Sequence, residues 1–278
     1  MQGNPNHNNI RGLQIFINDI RDCKTREAES KRIESELEKI RKKFSSTKAL
    51  SGYDKKKYVW KLLYIYILGY KVDFGFNYAA DLITSIKITE KMTGYICLSL
   101  LCKENSQEIS VMINSIRNDL IEKNSLPQSL ALSLATNLNN PELLTEISSD
   151  VVQFMTKFKE KQPAVVKKAM ICLTKILKIK KEIHDSVSWP ASILKMIEIK
   201  NFEILLSLTN FVLNIFQIVG SNGYHEVAMK FFNNILYKLK EAPDDYTYYN
   251  IRTPWLQIKI MKILQCVNPN LLNSETLK

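Results

Sequence analysis

Between Arg41 and Lys61 the chain carries eight Lys and Arg side chains and a single acid, Asp54. The densest part is Gly52-Tyr53-Asp54-Lys55-Lys56-Lys57-Tyr58, which runs into an apolar helical pattern from Val59 to Leu68. Clustered ammonium groups do one kind of chemistry well: they hold anions. With Asp54 as N-cap, Lys55, Lys56 and Lys57 fall in the first turn of a helix, beside unpaired backbone N–H groups. Cations there oppose the positive end of the helix dipole. A bound anion would turn that cost into attraction. Lys61, four residues after Lys57, extends the same face. The alternative is a solvated charged turn, and pattern alone leaves both open. Lysine rather than arginine argues against base-edge readout, which favours the bidentate guanidinium. An anionic membrane surface or a phosphoinositide headgroup fits better. Six cations at about 1 kcal/mol each would give a dissociation constant of roughly tens of micromolar. Such a site needs further contacts to hold.

Catalytic patterns are missing. There is no GxxxxGK[ST], GxGxxG or GxSxG, and His225-Glu226-Val227-Ala228-Met229 has Met where a zinc-protease helix needs its second His. The five Cys form no CxxC pair and the three His are scattered, so neither a metal nor a cofactor is expected. Tyr64, Tyr66, Phe211 and Phe216 read as core. The expected class is a binding protein, not an enzyme.

The net charge of +11 is unevenly spread. Residues 1–75 hold 16 bases and 9 acids, 76–180 hold 13 and 10, and 181–278 hold 10 and 9. The excess is therefore a patch. At 278 residues, 45% hydrophobic and 24% charged, the chain should fold as one large or two ordinary domains. Its polar Met1–Asn9 start, lack of N-x-Ser/Thr sequons and unpaired Cys suggest a cytosolic protein. Ile204 to His225 contains no Asp, Glu, Lys or Arg. Ser207, Asn210, Asn214 and Gln217 line one side of it at helical spacing, so a buried helix is expected rather than a membrane span.

Nearly every segment has helical period. Ile33, Leu37, Ile40 and Phe44 form a narrow apolar stripe on a charged helix from Thr25 to Phe44, and an exposed stripe would call for partner subunits. No strand alternation is evident, and several prolines sit at helix starts. Helix pairs open near Lys55, Lys91, Pro127, Ala164 and Phe202, about 37 residues apart, which is the length of two helices and two turns. This predicts an all-α solenoid of HEAT- or armadillo-like antiparallel helix pairs, with a compact bundle as the alternative. Residues 1–10 read as a disordered polar tail and 11–278 as one solenoid. A final helix from Pro254 to Cys266 lacks a polar outer face, so the natural chain is expected to continue.

Three segments carry a family resemblance. Arg11-Gly12-Leu13 with Phe16 to Arg21, the run Tyr53 to Lys61 with Leu68-Gly69 and Asp73-Phe74-Gly75, and Asp245 to Tyr249 leading to Pro254-Trp255-Leu256 resemble the N-terminus of the alpha branch of the adaptin family. Those are large chains of the endocytic clathrin adaptor. Thr89-Glu90-Lys91, Gly94-Tyr95 and Asn118-Asp119-Leu120 also look like adaptin. The likeness is strong at both ends and faint between Ser125 and Lys240. It implies a trunk that wraps a small sigma chain and joins beta and mu chains in coated pits, on the cytosolic face of the plasma membrane. It implies a phosphatidylinositol 4,5-bisphosphate site at Arg11, Lys55, Lys56, Lys57 and Lys61, with Lys43 and Tyr53 as further members. Arg21 would lie beside sigma, where acidic dileucine cargo signals bind, and clathrin would be engaged indirectly. A gamma-type trans-Golgi adaptin, or a solenoid binding nucleic acid or peptide, are the competing readings.

Overall fold

A computed structural model of the chain describes residues 10–102, 108–156, 162–184, 189–220 and 222–267. The expected polar tail lies outside them, except for Ile10, which is buried. The described residues are overwhelmingly helical: α1 (Arg11–Arg21), α2 (Arg26–Phe44), α3 (Gly52–Ile67), α4 (Phe76–Ile83), α5 (Ile88–Leu101), α6 (Glu108–Ile121) and α7 (Ser125–Leu138) come first. Then follow α8 (Pro141–Glu146), α9 (Ser148–Thr156), α10 (Pro163–Ile179), α11 (Trp189–Ile197), α12 (Phe202–Ile218), α13 (His225–Leu239) and α14 (Pro254–Gln265). Caps set many of the boundaries. Thr25 accepts from the Ala28 N–H at α2, Asn140 from Leu143 at α8, and Asn201 from Glu203 and Ile204 at α12. Pro141, Pro163 and Pro254 occupy first turns, where no N–H is missed.

The expected repeat is present. Alternate helices begin at Gly52, Ile88, Ser125, Pro163 and Phe202, 36 to 39 residues apart. The chain divides within α6 into two compact units, residues 1–116 and 117–278.

In the first unit Phe16 and Ile20 of α1, Ile33 of α2 and Ile65 of α3 form a core, with Leu37, Tyr64, Tyr70 and Val72 packed around it. The α2 stripe is thus covered from within the unit, contrary to the expected exposed face. Ile33 and Ile40 are fully buried, and Phe44 stacks on Tyr78 with ring centroids 3.8 Å apart. Helices α4 and α5 approach most closely at Gly94. A Cβ there would sit 2.7 Å from the Ala79 carbonyl oxygen and 2.9 Å from the Ile83 nitrogen.

In the second unit α7, α10, α12 and α14 pack in succession as one layer, while α8, α9, α11 and α13 supply the other. Lys168 donates to the Ser129 carbonyl (3.1 Å) and Lys175 to the Thr136 carbonyl (2.7 Å). Both pairs are 39 residues apart. A constant offset over two turns means that α7 and α10 run parallel, as same-layer helices of a solenoid do. The fold is an all-α solenoid of paired helices.

The uncharged stretch does not form one helix. It ends at Ile218, and Gly220 turns the chain with φ 104° before α13. Its polar stripe is the less buried side, where Asn210 accepts from Lys259 (2.8 Å). No helix among the described residues is long and apolar enough to cross a membrane. One short hairpin departs from the helical expectation: β1 (Thr247–Tyr248) pairs antiparallel with β2 (Ile251–Arg252). Tyr249 and Asn250 turn it with φ 45° and 61°, the left-handed pair that fits a two-residue hairpin loop. Two-residue strands are too short to show alternation. Each unit also buries one thiol completely, Cys97 in α5 and Cys172 in α10. Desolvation pushes both thiols far up, Cys172 to about 12.

Replacing Gly94 by Ala drives a methyl into the backbone of α4. Chemical denaturation should show a loss of about 1–3 kcal/mol, the usual cost of overpacking a tight contact.

Candidate functional site, a cation cluster where three helix ends meet

Helix α3 starts one turn earlier than the Asp54 cap predicts. Ser51 is the N-cap: its Oγ accepts from the Asp54 N–H (3.1 Å) and donates to Asp54 Oδ2 (2.8 Å). Asp54 therefore sits in the first turn, where a carboxylate suits the dipole. The Lys55 N–H already bonds to the Ser51 carbonyl at 2.9 Å. A second carboxylate closes the same end. A Cβ on Gly52 would lie 2.5 and 2.6 Å from the two Glu90 oxygens, and Ser85 donates to Glu90 Oε2 at 2.7 Å. A hydroxyl and two carboxylates of the protein thus stand at the helix terminus.

The lysines lie one turn further in. Three consecutive residues span about 200° of helix circumference, so they reach three neighbours. Lys55 pairs with Asp81 of α4 (2.9 Å) and Lys57 with Asp54 (2.7 Å). Lys56 lies at the rim of a shallow apolar groove with Leu13, Trp60, Met92 and Ile96. The Lys57 ammonium is 4.6 Å from the Tyr58 ring centroid and 5.7 Å from that of Tyr53. Burial, the largest single influence, pulls the Lys57 pKa downward, but the hydrogen bond to Asp54 together with the neighbouring Tyr58 and the Asp54 charge outweighs it, so the net shift is upward. Hydrogen bonds from Lys57 and Ser51 hold the Asp54 carboxyl below the usual range, with Lys43 adding to the pull.

The other expected members converge here, with one exception. Gly12 of α1 packs on the Lys57 stem, where a Cβ would be 3.1 Å from Cδ, and so Arg11 begins its helix beside the cluster. Lys43, in the last turn of α2, lies close enough to Asp54 to perturb it. Tyr53 is half exposed. Arg11, Lys43 and Lys56 have no ion pair among the described residues. Arg21 does not join them. It ends α1, about 15 Å from Arg11 at 1.5 Å per residue, and is exposed.

Lys61 is the exception. It does not extend the outer face but turns inward, 8% exposed, and pairs with Glu36 of α2 at 2.5 Å. Glu36 is only 4% exposed and also accepts from Arg32 at 2.8 Å, while Arg32 reaches Asp19 of α1 at 2.9 Å. The Phe16 ring packs near both cations, its centroid 4.9 Å from Arg32 and 5.4 Å from Lys61. Burial alone would raise the Glu36 pKa, but the hydrogen bonds from Lys61 and Arg32 hold it below the carboxylate range. Sequence reading did not single out Glu36. The signal was its place between Ile33 and Ile40, three and four residues from each, on the apolar stripe.

Lys61→Gln, which strands a buried carboxylate, should cost about 3 kcal/mol in urea denaturation; Lys56→Gln should stay within about 0.5 kcal/mol. The depressed Glu36 pKa also has a signed consequence. Its stabilisation is present above the unfolded value of about 4.3 and is lost as pH falls through the lower folded value. Stability measured from pH 6 down to 3 should therefore fall less steeply in Glu36→Gln, from a lower starting level.

The chain has relatives among known proteins. The family model described as "Adaptin N terminal region" matches residues 29–277. Over 259 residues the chain is 36% identical to the AP-2 complex subunit alpha-1 of Arabidopsis thaliana, covering 92% of this chain and 25% of that protein. Over 272 residues it is 35% identical to the AP-2 complex subunit alpha of Schizosaccharomyces pombe, covering 95% and 30%. With the AP-1 complex subunit gamma-1 of the same yeast, identity drops to 26% over 271 residues. The chain thus spans between a quarter and a third of the length of these relatives, and by the family match across its helices it belongs to the adaptin family.

Proposed function

We propose that this chain is the N-terminal part of the trunk of an alpha-type large subunit in a heterotetrameric clathrin adaptor acting in clathrin-mediated endocytosis. Its cation cluster would hold phosphatidylinositol 4,5-bisphosphate on the cytosolic face of the plasma membrane. Higher identity to AP-2 alpha than to AP-1 gamma subunits favours the endocytic complex over the trans-Golgi alternative. The observation that carries the lipid reading is the convergence of Arg11, Lys43 and Lys56, all without ion pairs among the described residues, around the start of α3. Lys55, Lys57 and Tyr53 complete the contact set. Lys61 contributes by bracing α3 from inside, not by touching lipid.

At about 1 kcal/mol per surface cation, three free cations supply roughly 3 kcal/mol, weaker than a millimolar site. The lipid site would then work only with other membrane contacts in the same assembly. Beta, mu and sigma chains would supply them. Arg21, exposed and apart from the cluster, suits a separate role in flanking an acidic dileucine signal bound by sigma.

Co-sedimentation of the assembled complex with vesicles should depend on phosphatidylinositol 4,5-bisphosphate and fall at least tenfold when Lys55, Lys56 and Lys57 are all changed to Gln. Unchanged binding by the triple variant would sink the assignment, whatever the role of Arg21.

A further inference from the structure

The loop 84–87 joins α4 to α5 at the end of the first unit where α3 starts, and both of its flanks are fastened there. On the α4 side Asp81 pairs with Lys55 at 2.9 Å. On the α5 side Glu90 lies against Gly52, where a Cβ would stand 2.5 Å from Oε2. The loop is also pinned by its own polar groups. Thr84 Oγ1 donates to the Asp81 carbonyl (2.8 Å), Ser85 Oγ donates to Glu90 Oε2 (2.7 Å), and the Lys87 N–H donates to Ser85 Oγ (3.1 Å). Between these fixed points stands Ile86, 101% exposed, the most exposed large apolar side chain among the described residues. One apolar side chain on a surface needs no explanation by itself. This one is carried on a braced turn with cations around it. The three nearby acids each have a partner, Asp54 with Lys57, Asp81 with Lys55 and Glu90 with Lys87 at 3.5 Å, which leaves Arg11, Lys43 and Lys56 in excess.

We infer that Ile86 is a membrane wedge: when the cation cluster meets an anionic bilayer, the loop between α4 and α5 presses this side chain past the headgroups to the acyl boundary. The inference rests on the lipid reading above and adds to it a contact of different chemistry. The unpaired cations alone make a weak site, so a second contact matters. Ile86 already stands in water, so its insertion breaks no packing and removes its apolar surface from solvent. Membrane binding grows with inserted apolar area as well as with attraction to anionic lipid. Its neighbours suit the same orientation. Lys87, 77% exposed, has a stem long enough to keep its ammonium among phosphates while Ile86 goes deeper. Tyr53, half exposed on the first turn of α3 next to Gly52, is the ring type that settles at headgroup level. The two kinds of contact respond differently to salt. Ions screen exposed lysines, whereas an inserted isoleucine is indifferent to them.

The test uses the full-length protein in its assembled complex and phosphatidylcholine vesicles carrying phosphatidylinositol 4,5-bisphosphate. Ile86→Ser should bind them about five- to tenfold more weakly than wild type, and that deficit should persist as salt is raised. The deficit of Lys56→Gln should shrink over the same salt range. Ile86→Trp, with a larger ring to insert, should bind more tightly than wild type. Ile67→Ser is the control, because Ile67 is also exposed (65%) but ends α3, about 22 Å along the helix from Gly52. It should bind as wild type does. If Ile86→Ser matches wild type, if its deficit disappears with salt, if Ile86→Trp binds no more tightly, or if Ile67→Ser loses as much, the wedge is wrong while the lipid site stands. Subunits lost from the Ile86→Ser complex on gel filtration would put Ile86 in a protein interface and overturn the wedge as well. If wild type ignores the bisphosphate, both the lipid site and the wedge fall.

Discussion

Glu36 is a carboxylate placed where water cannot reach it, and the first unit is arranged around answering its charge. An ionised group without partners costs far more in a protein interior than any single packing contact returns. Lys61 from α3 and Arg32 one turn back on α2 both meet it, and Arg32 also reaches Asp19 on α1. The Phe16 ring packs close to both cations. Three helices are thereby fixed in rotation as well as distance, because each must present one particular side chain inward. An apolar seam would tolerate slippage that a charged seam does not.

The outward cluster follows from that inward one. Once α3 is held with Lys61 facing the core, the turn before it must point Lys55, Lys56 and Lys57 toward the ends of α1, α2 and α4. The stems of all three lean toward the helix start, as side chains on a helix do. The helix terminus itself is closed by Ser51, Asp54 and Glu90. The positive charge at this end is therefore carried by side chains, with two carboxylates set among them. Side-chain cations on flexible stems can rearrange around ligands of different shape, which a ring of fixed N–H donors could not do.

The helical fold could be read from sequence because it is written at short range. The helix spacing, the proline starts and the Thr25 to Phe44 helix all depend on neighbours within a few residues. What sequence reading missed depends on distant partners. Glu36 faces inward only because Lys61 lies 25 residues away, and Glu90 can reach Gly52 only because α5 packs on α3. The α3 start was misplaced by three residues because Ser51 and Asp54 are both good caps, and local pattern cannot choose between them. The hairpin was missed because its strands are two residues long and its turn uses Tyr249 in a left-handed conformation that side chains of that size rarely adopt.

Cys97 and Cys172 give the molecule a property unrelated to its binding surface. Each is sealed in a different unit, and in each the thiolate that would react with an alkylating agent is strongly disfavoured while the helices stay packed. Reaction at either sulfur therefore reports that its own unit has opened. The chain carries a separate internal clock for each half, placed where no added probe could sit without disturbing the packing.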